Sequence, residues 1–185
     1  MTRKLPRQDW EGDDFTPGAG GKFVTCMDTA TGRMLAWATN GRIDLDGRQI
    51  RAAITPPDPN GANFAQMQTV IHKLTGLHLV YREGWTQREV ADWLRAGRGL
   101  IYIGMYGTLP REYRHQATGD FAHAMFAPRA ATTTLRNYDP LNPRIRQRAA
   151  QGVANQVIDH HHRFTKTAVA NLYREPLGAV VEFKL

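Results

Sequence analysis

The chain reads as an α+β domain, a helical first half followed by a β-rich second half. Three observations predict this. Apolar residues recur at helical spacing in two stretches, at Met27, Ala30, Met34, Leu35 and Ala38 and again at Phe64, Met67, Val70, Ile71 and Leu74. The run Leu100-Ile-Tyr-Ile-Gly-Met-Tyr106 is apolar on both faces and rich in β-formers, as a central strand is. Beyond it, Phe121–Phe126 and Thr132–Tyr138 read as two paired strands. At 185 residues, with 42% hydrophobic and 22% charged content, the chain suits one domain with a sizeable core.

Taken in order, residues 1–21 carry charge, Gly and Pro without periodicity (Glu11-Gly-Asp-Asp14, Thr16-Pro-Gly-Ala-Gly-Gly21) and read as an extended N-terminal arm. A helix then starts at Cys26 and stops at Asn40-Gly41, with Gly32 a weakness inside it. Ile43 to Asn60 is turn-rich, with Pro56-Pro57-Asp58-Pro59 near its end. The second helix closes at Gly76, and Leu77 to Tyr81 alternates like a short strand. Thr86-Gln-Arg-Glu89 is a capping box opening a third helix through Val90, Trp93 and Leu94 to Gly97.

In the second half, Pro128-Arg129 is the expected turn of the hairpin, and Asp139-Pro-Leu-Asn-Pro143 breaks its second strand. Ile145, Ala149, Val153 and Val157 continue as a helix through Phe164 and Leu172, and Ala179 to Phe183 closes the chain as a strand. The expected organisation is an arm over 1–21, a core over 22–143, and a C-terminal helix and strand over 144–185 completing the same domain.

Composition narrows the function classes. A single cysteine excludes an internal disulfide. The basic N-terminus lacks the apolar core of a secretory signal, and no stretch nears the ~18 apolar residues of a membrane helix, so a soluble protein made in the cytoplasm is expected. The net charge of +7 comes from scattered, mostly arginine residues, and the densest stretch, Arg136 to Arg148, has only Tyr138 among it. That favours a solvated basic surface over nucleic-acid binding. His160-His161-His162 on a helix would point about 100° apart and cannot converge on one ion, so no metal is expected there. His72 and His78 lack an evident carboxylate partner, and Gly104-Met-Tyr-Gly107 lacks the Lys-Ser/Thr ending of a phosphate loop. Trp37, Trp85 and Trp93 suit core or interface positions, whereas Trp10 in the polar arm suits docking onto a partner.

The chemistry concentrates on three residues. Cys26 stands at a helix N-terminus, where backbone N–H groups favour a thiolate. His123 and Asp139 are 16 residues apart, so a hairpin turn centred on residue 131 would set them directly across from one another. An aspartate there fixes the imidazole tautomer and leaves the other nitrogen to deprotonate a thiol. The alternative is a buried histidine that hydrogen-bonds a neighbour and an ordinary strand-ending Asp-Pro turn.

The patches Thr25-Cys-Met-Asp-Thr-Ala30, Gly99-Leu-Ile-Tyr-Ile-Gly104 with Phe121-Ala-His-Ala-Met125, and Asn137-Tyr-Asp-Pro-Leu141 resemble the papain-like cysteine peptidases. The similarity is greatest to the branch that processes bacteriocin leaders and to its phage-encoded relatives, which Gly107-Thr-Leu-Pro-Arg-Glu-Tyr113 also resembles. The resemblance covers roughly residues 20–141 and implies a central N-terminal helix packed on an antiparallel sheet. It implies Cys26 as nucleophile, His123 as general base and then acid, and Asp139 as orienting carboxylate, with no cofactor. The Cys26 N–H and a side-chain donor would form the oxyanion hole.

Three departures bear on turnover. The family commonly supplies the donor from a Gln several residues before the cysteine, where this chain has Gly18-Ala-Gly-Gly-Lys22, and the nearest upstream Gln is Gln8. Loss of one such donor costs ~10²–10³ in rate. Met27 replaces a small residue and would crowd a substrate carbonyl, and Ala122 stands where a Gly often precedes the histidine. Two functions therefore stand side by side: a cysteine hydrolase cutting peptide or isopeptide bonds, and a structural component of a phage particle that keeps the fold as a scaffold. The second expects virion proteins as partners through residues 1–21, and a virion location is common to both.

Overall fold

The computed structural model describes residues 25–59, 61–82, 89, 92–94, 96–105, 122–130, 134–138, 162–163 and 177–182. The expected arm, the Thr86 capping box and the helix over 145–157 lie outside these residues.

Helix α1 (Cys26–Ala38) ends as its sequence predicts: Asn40 and Gly41 adopt left-handed φ of 53° and 80°, and Gly41 N–H returns to the Ala36 carbonyl. The Thr39 hydroxyl donates to the Leu35 carbonyl and accepts from Ile43 N–H, tying the helix end to the next segment. Gly32 is a packing requirement rather than a weakness. A Cβ there would lie 2.4 Å from the Leu45 carbonyl oxygen.

The passage read as turns contains a helix, α2 (Gly47–Ala52), opened by a reciprocal Asp46/Gln49 capping box. Gly47 lets it lie on α1, since a Cβ would meet the Thr29 hydroxyl at 2.8 Å and the Thr29 backbone at 3.1 Å. Helix α3 (Phe64–Thr75) has the same kind of cap, Asn63 with Gln66, and closes at Gly76, φ 72°. Met67, Val70 and Ile71 are buried as predicted, but Leu74, assigned to the same face, is 41% exposed. It sits in the last turn, past the point where α3 packs.

The six strands form one antiparallel sheet in the order β1-β6-β2-β3-β4-β5. They are β1 (His78–Arg82), β2 (Leu100–Met105), β3 (Ala122–Ala130), β4 (Thr134–Tyr138), β5 (His162–Arg163) and β6 (Leu177–Glu182). Strand β2 is central, as its two-faced apolar pattern predicts. The last strand enters between β1 and β2, so the end of the chain joins the α3–β1 hairpin to the rest. Between β1 and β2, residues 92–94 are helical and close at Gly97, φ 74°.

Two expectations in the second half are corrected. Pro128-Arg129 is not a turn: β3 runs through both, and a bulge between Phe126 and Arg129 tolerates a proline that cannot donate to the ladder. Arg129 pairs with Arg136 and Ala130 with Leu135, which puts the hairpin midpoint between residues 132 and 133 instead of at 131. His162-Arg163 lies in strand β5 against β4, so no helix runs on from 157 through Phe164, and the three consecutive histidines do not share one helix.

Candidate active site

The core lies where α1 meets the sheet. Met27, Ala30, Met34, Leu35 and Trp37 of α1 pack with Ile101, Ala124 and Phe126 and with Ile50, Ile54, Met67 and Ile71. Met27 is 5% exposed within this cluster, so it is a core side chain, next along the chain to Cys26. One position along a helix turns a side chain by about 100°, which separates the two residues.

Cys26, a half-buried thiol, is the first residue of α1. Its N-cap, Thr25, makes no side-chain capping hydrogen bond, unlike Asp46 and Asn63 at the two other helices. The first turn therefore presents its amide field without a capping oxygen from Thr25, which is the setting in which S⁻ is favoured.

His123 is the second residue of β3 and is fully buried. It pairs across the ladder with Gly104, which has no side chain to crowd the imidazole. Strand alternation turns Ala124 and Phe126 toward α1 and His123 to the other face of the sheet. The structure thus packs the element carrying Cys26 directly on the element carrying His123. Asp139 lies one residue past β4, outside the described residues, as do the arm and any oxyanion donor within it.

Three charged residues were not singled out by the sequence. Asp28 and Arg33 are buried on α1, at 0% and 1% exposure. Arg51 of α2 sets Nη1 3.8 Å from the Asp28 carboxylate and donates through Nη2 to the Asp58 carbonyl. Arg33 donates to the Leu45 carbonyl at 3.3 Å and lies 3.6 Å from Asp44. Only the full burial of α1 reveals them, since a helix with one apolar stripe would leave both charges in water. Among the described residues no group of three or more His, Cys, Asp or Glu could hold a metal ion, and no helix is long and apolar enough to cross a membrane.

No protein-family model matches the chain, and no curated protein sequence does. Solved structures do. One described as a C39-like peptidase from Bacillus anthracis superposes with a TM-score of 0.59 over 100% of this chain and 98% of its own, at 14% identity. UfSP from C. elegans gives a TM-score of 0.48 at 13% identity, and this chain spans 33% of its length. The fold is that of the papain-like cysteine peptidases, as the sequence patches predict.

Proposed function

We propose that this protein is a papain-like cysteine hydrolase acting on peptide or isopeptide bonds, with Cys26 as nucleophile, His123 as general base and then acid, and Asp139 as the carboxylate that orients the imidazole. One observation carries the reading: the helix headed by the chain's single cysteine packs on the strand that holds a fully buried histidine. In that arrangement His123 takes the thiol proton, the thiolate attacks the carbonyl carbon, and the imidazolium returns the proton to the leaving amine. Water then cleaves the thioester with the histidine again as base. The first-turn amides of α1 stabilise the oxyanion, and the Cys26 N–H is the first donor.

A second reading is a structural component of a phage particle that retains the fold as a scaffold, meeting other virion proteins through residues 1–21. It is favoured by the glycine-rich Gly18–Lys22 segment in place of the usual glutamine, which lowers turnover by ~10²–10³. The phage setting itself rests on the sequence patches.

Incubation with a peptide library, followed by mass spectrometry of new termini, separates the two. New termini that vanish in Cys26→Ala establish the hydrolase. Identical digests from both proteins refute it.

A further inference from the structure

We propose that the buried Asp28–Arg51 pair tunes the thiol of Cys26, with Arg51 cancelling a negative charge that would otherwise oppose thiolate formation. This deepens the reading of Cys26 as a nucleophile and rests on it. The two act as positioning residues for charge and do not touch substrate.

Asp28 is the third residue of α1, in the same first turn as Cys26. Two positions along a helix place side chains on opposite flanks, so the carboxylate acts on the sulfur through its field. Helix N-termini carry about half a positive charge, and a full negative charge in that turn more than offsets it. Burial makes this effect large, because water does not screen a group at 0% exposure. Arg51 answers it from α2, 3.8 Å away and anchored on the Asp58 carbonyl.

Helices α1 and α2 also meet without the pair: Gly47 of α2 lies against Thr29, Gly32 lies against the Leu45 carbonyl just ahead of α2, and Ile50 packs in the core with α1. A buried ion pair is in any case a weak source of stability compared with an apolar pair of the same shape. A buried carboxylate and its guanidinium partner in the first turn that carries a thiol therefore suit a role in reactivity.

Other charged groups on the elements around α1 are Arg33 on α1 itself, Asp44 and Asp46 before α2, Arg48 on α2, His123 and Arg129 on β3, and Glu182 on β6. Strand β2 carries none. None of these is altered in the variants below, so a change in profile is assigned to the pair.

The test is the rate of Cys26 alkylation by iodoacetamide in the full chain, followed by mass spectrometry between about pH 5 and pH 9. Arg51→Gln should move the profile up by about one pH unit, with labelling about tenfold slower near neutrality. Asp28→Asn, which keeps the shape, should move it down and speed labelling by a similar factor. Arg51→Lys, which keeps the charge, should match the parent. Should Arg51→Gln fail to fold, Asp28→Asn decides alone. An Asp28→Asn profile superimposable on the parent's overturns the proposal, whatever happens to the melting temperature. Shifted profiles in a protein that cleaves no peptide keep this inference and drop the hydrolase.

Discussion

Trp37, near the end of α1, packs its ring against Phe126 of β3, with centroids 5.7 Å apart and planes inclined by 60°. Gly99 lies against both rings, so close that a Cβ would stand 2.6 Å from Trp37 and 2.9 Å from Phe126. This contact anchors the helix to the strand. Cys26 lies eleven residues before Trp37, about 16 Å along the helix. His123 lies three residues before Phe126, about 10 Å along the strand. Both candidate groups therefore precede the anchor on their own elements.

Phe126→Ala removes this anchor. The expected loss is about 3–5 kcal/mol of stability, the range for a large buried aromatic ring, measured by urea denaturation. In any fraction that stays folded, Cys26 labelling should fall toward that of a model thiol.

Gly32 and Gly76 are glycines for different reasons, and alanine separates them. At Gly32 the φ is ordinary but a methyl would collide with the Leu45 carbonyl, so Gly32→Ala should cost about 1–3 kcal/mol through displaced backbone. At Gly76 nothing lies within 4 Å of the added atom, and the cost of about 1–2 kcal/mol comes from φ 72° alone. Gly76→Asn, which tolerates that φ, should recover part of the loss, whereas Gly32→Asn should be worse than Gly32→Ala. Denaturant midpoints of the four variants check this.

Asn63 accepts from Gln66 N–H at 2.9 Å, and the Gln66 side chain accepts from Asn63 N–H at 3.0 Å. Asn63→Ala should destabilise by about 1 kcal/mol, and Asn63→Asp should not. Because the pair is exposed, the change reports on the cap of α3 and not on the core. Thermal melts would show it.

Ending the chain after residue 176 deletes β6, the neighbour of both β1 and β2. The expected outcome is loss of a single cooperative unfolding transition, since among the described strands β1 has no other partner. A truncated protein that unfolds in one transition at the parent's midpoint would show that the sheet does not need this strand.

The elements with a strong local signal were legible in the sequence. The two long helices carry apolar periodicity and end at left-handed residues, and β2, with its two-faced apolar sequence, has a strand on each side. Helix α2 was hidden because six residues are too few for periodicity, although Asp46-Gly-Arg-Gln49 is a capping sequence. Pro128 read as a turn because a bulge that accommodates a proline within a strand leaves no mark in local sequence. At the site, the positions of Cys26 and His123 on a helix start and a strand followed from pattern, as did Met27 on the apolar face of α1. Asp28, Arg33 and Arg51 could not be found that way. Their burial depends on α1 being covered on several sides by segments distant in the chain.

The most direct test of the account is the pH dependence of Cys26 alkylation in the parent protein and in His123→Ala, with circular dichroism confirming that both are folded. The account predicts labelling that begins well below the ordinary thiol range of about 8.5 in the parent and is displaced upward when the imidazole is removed. A parent thiol that labels like a free cysteine, with a profile His123→Ala leaves unchanged, would contradict it.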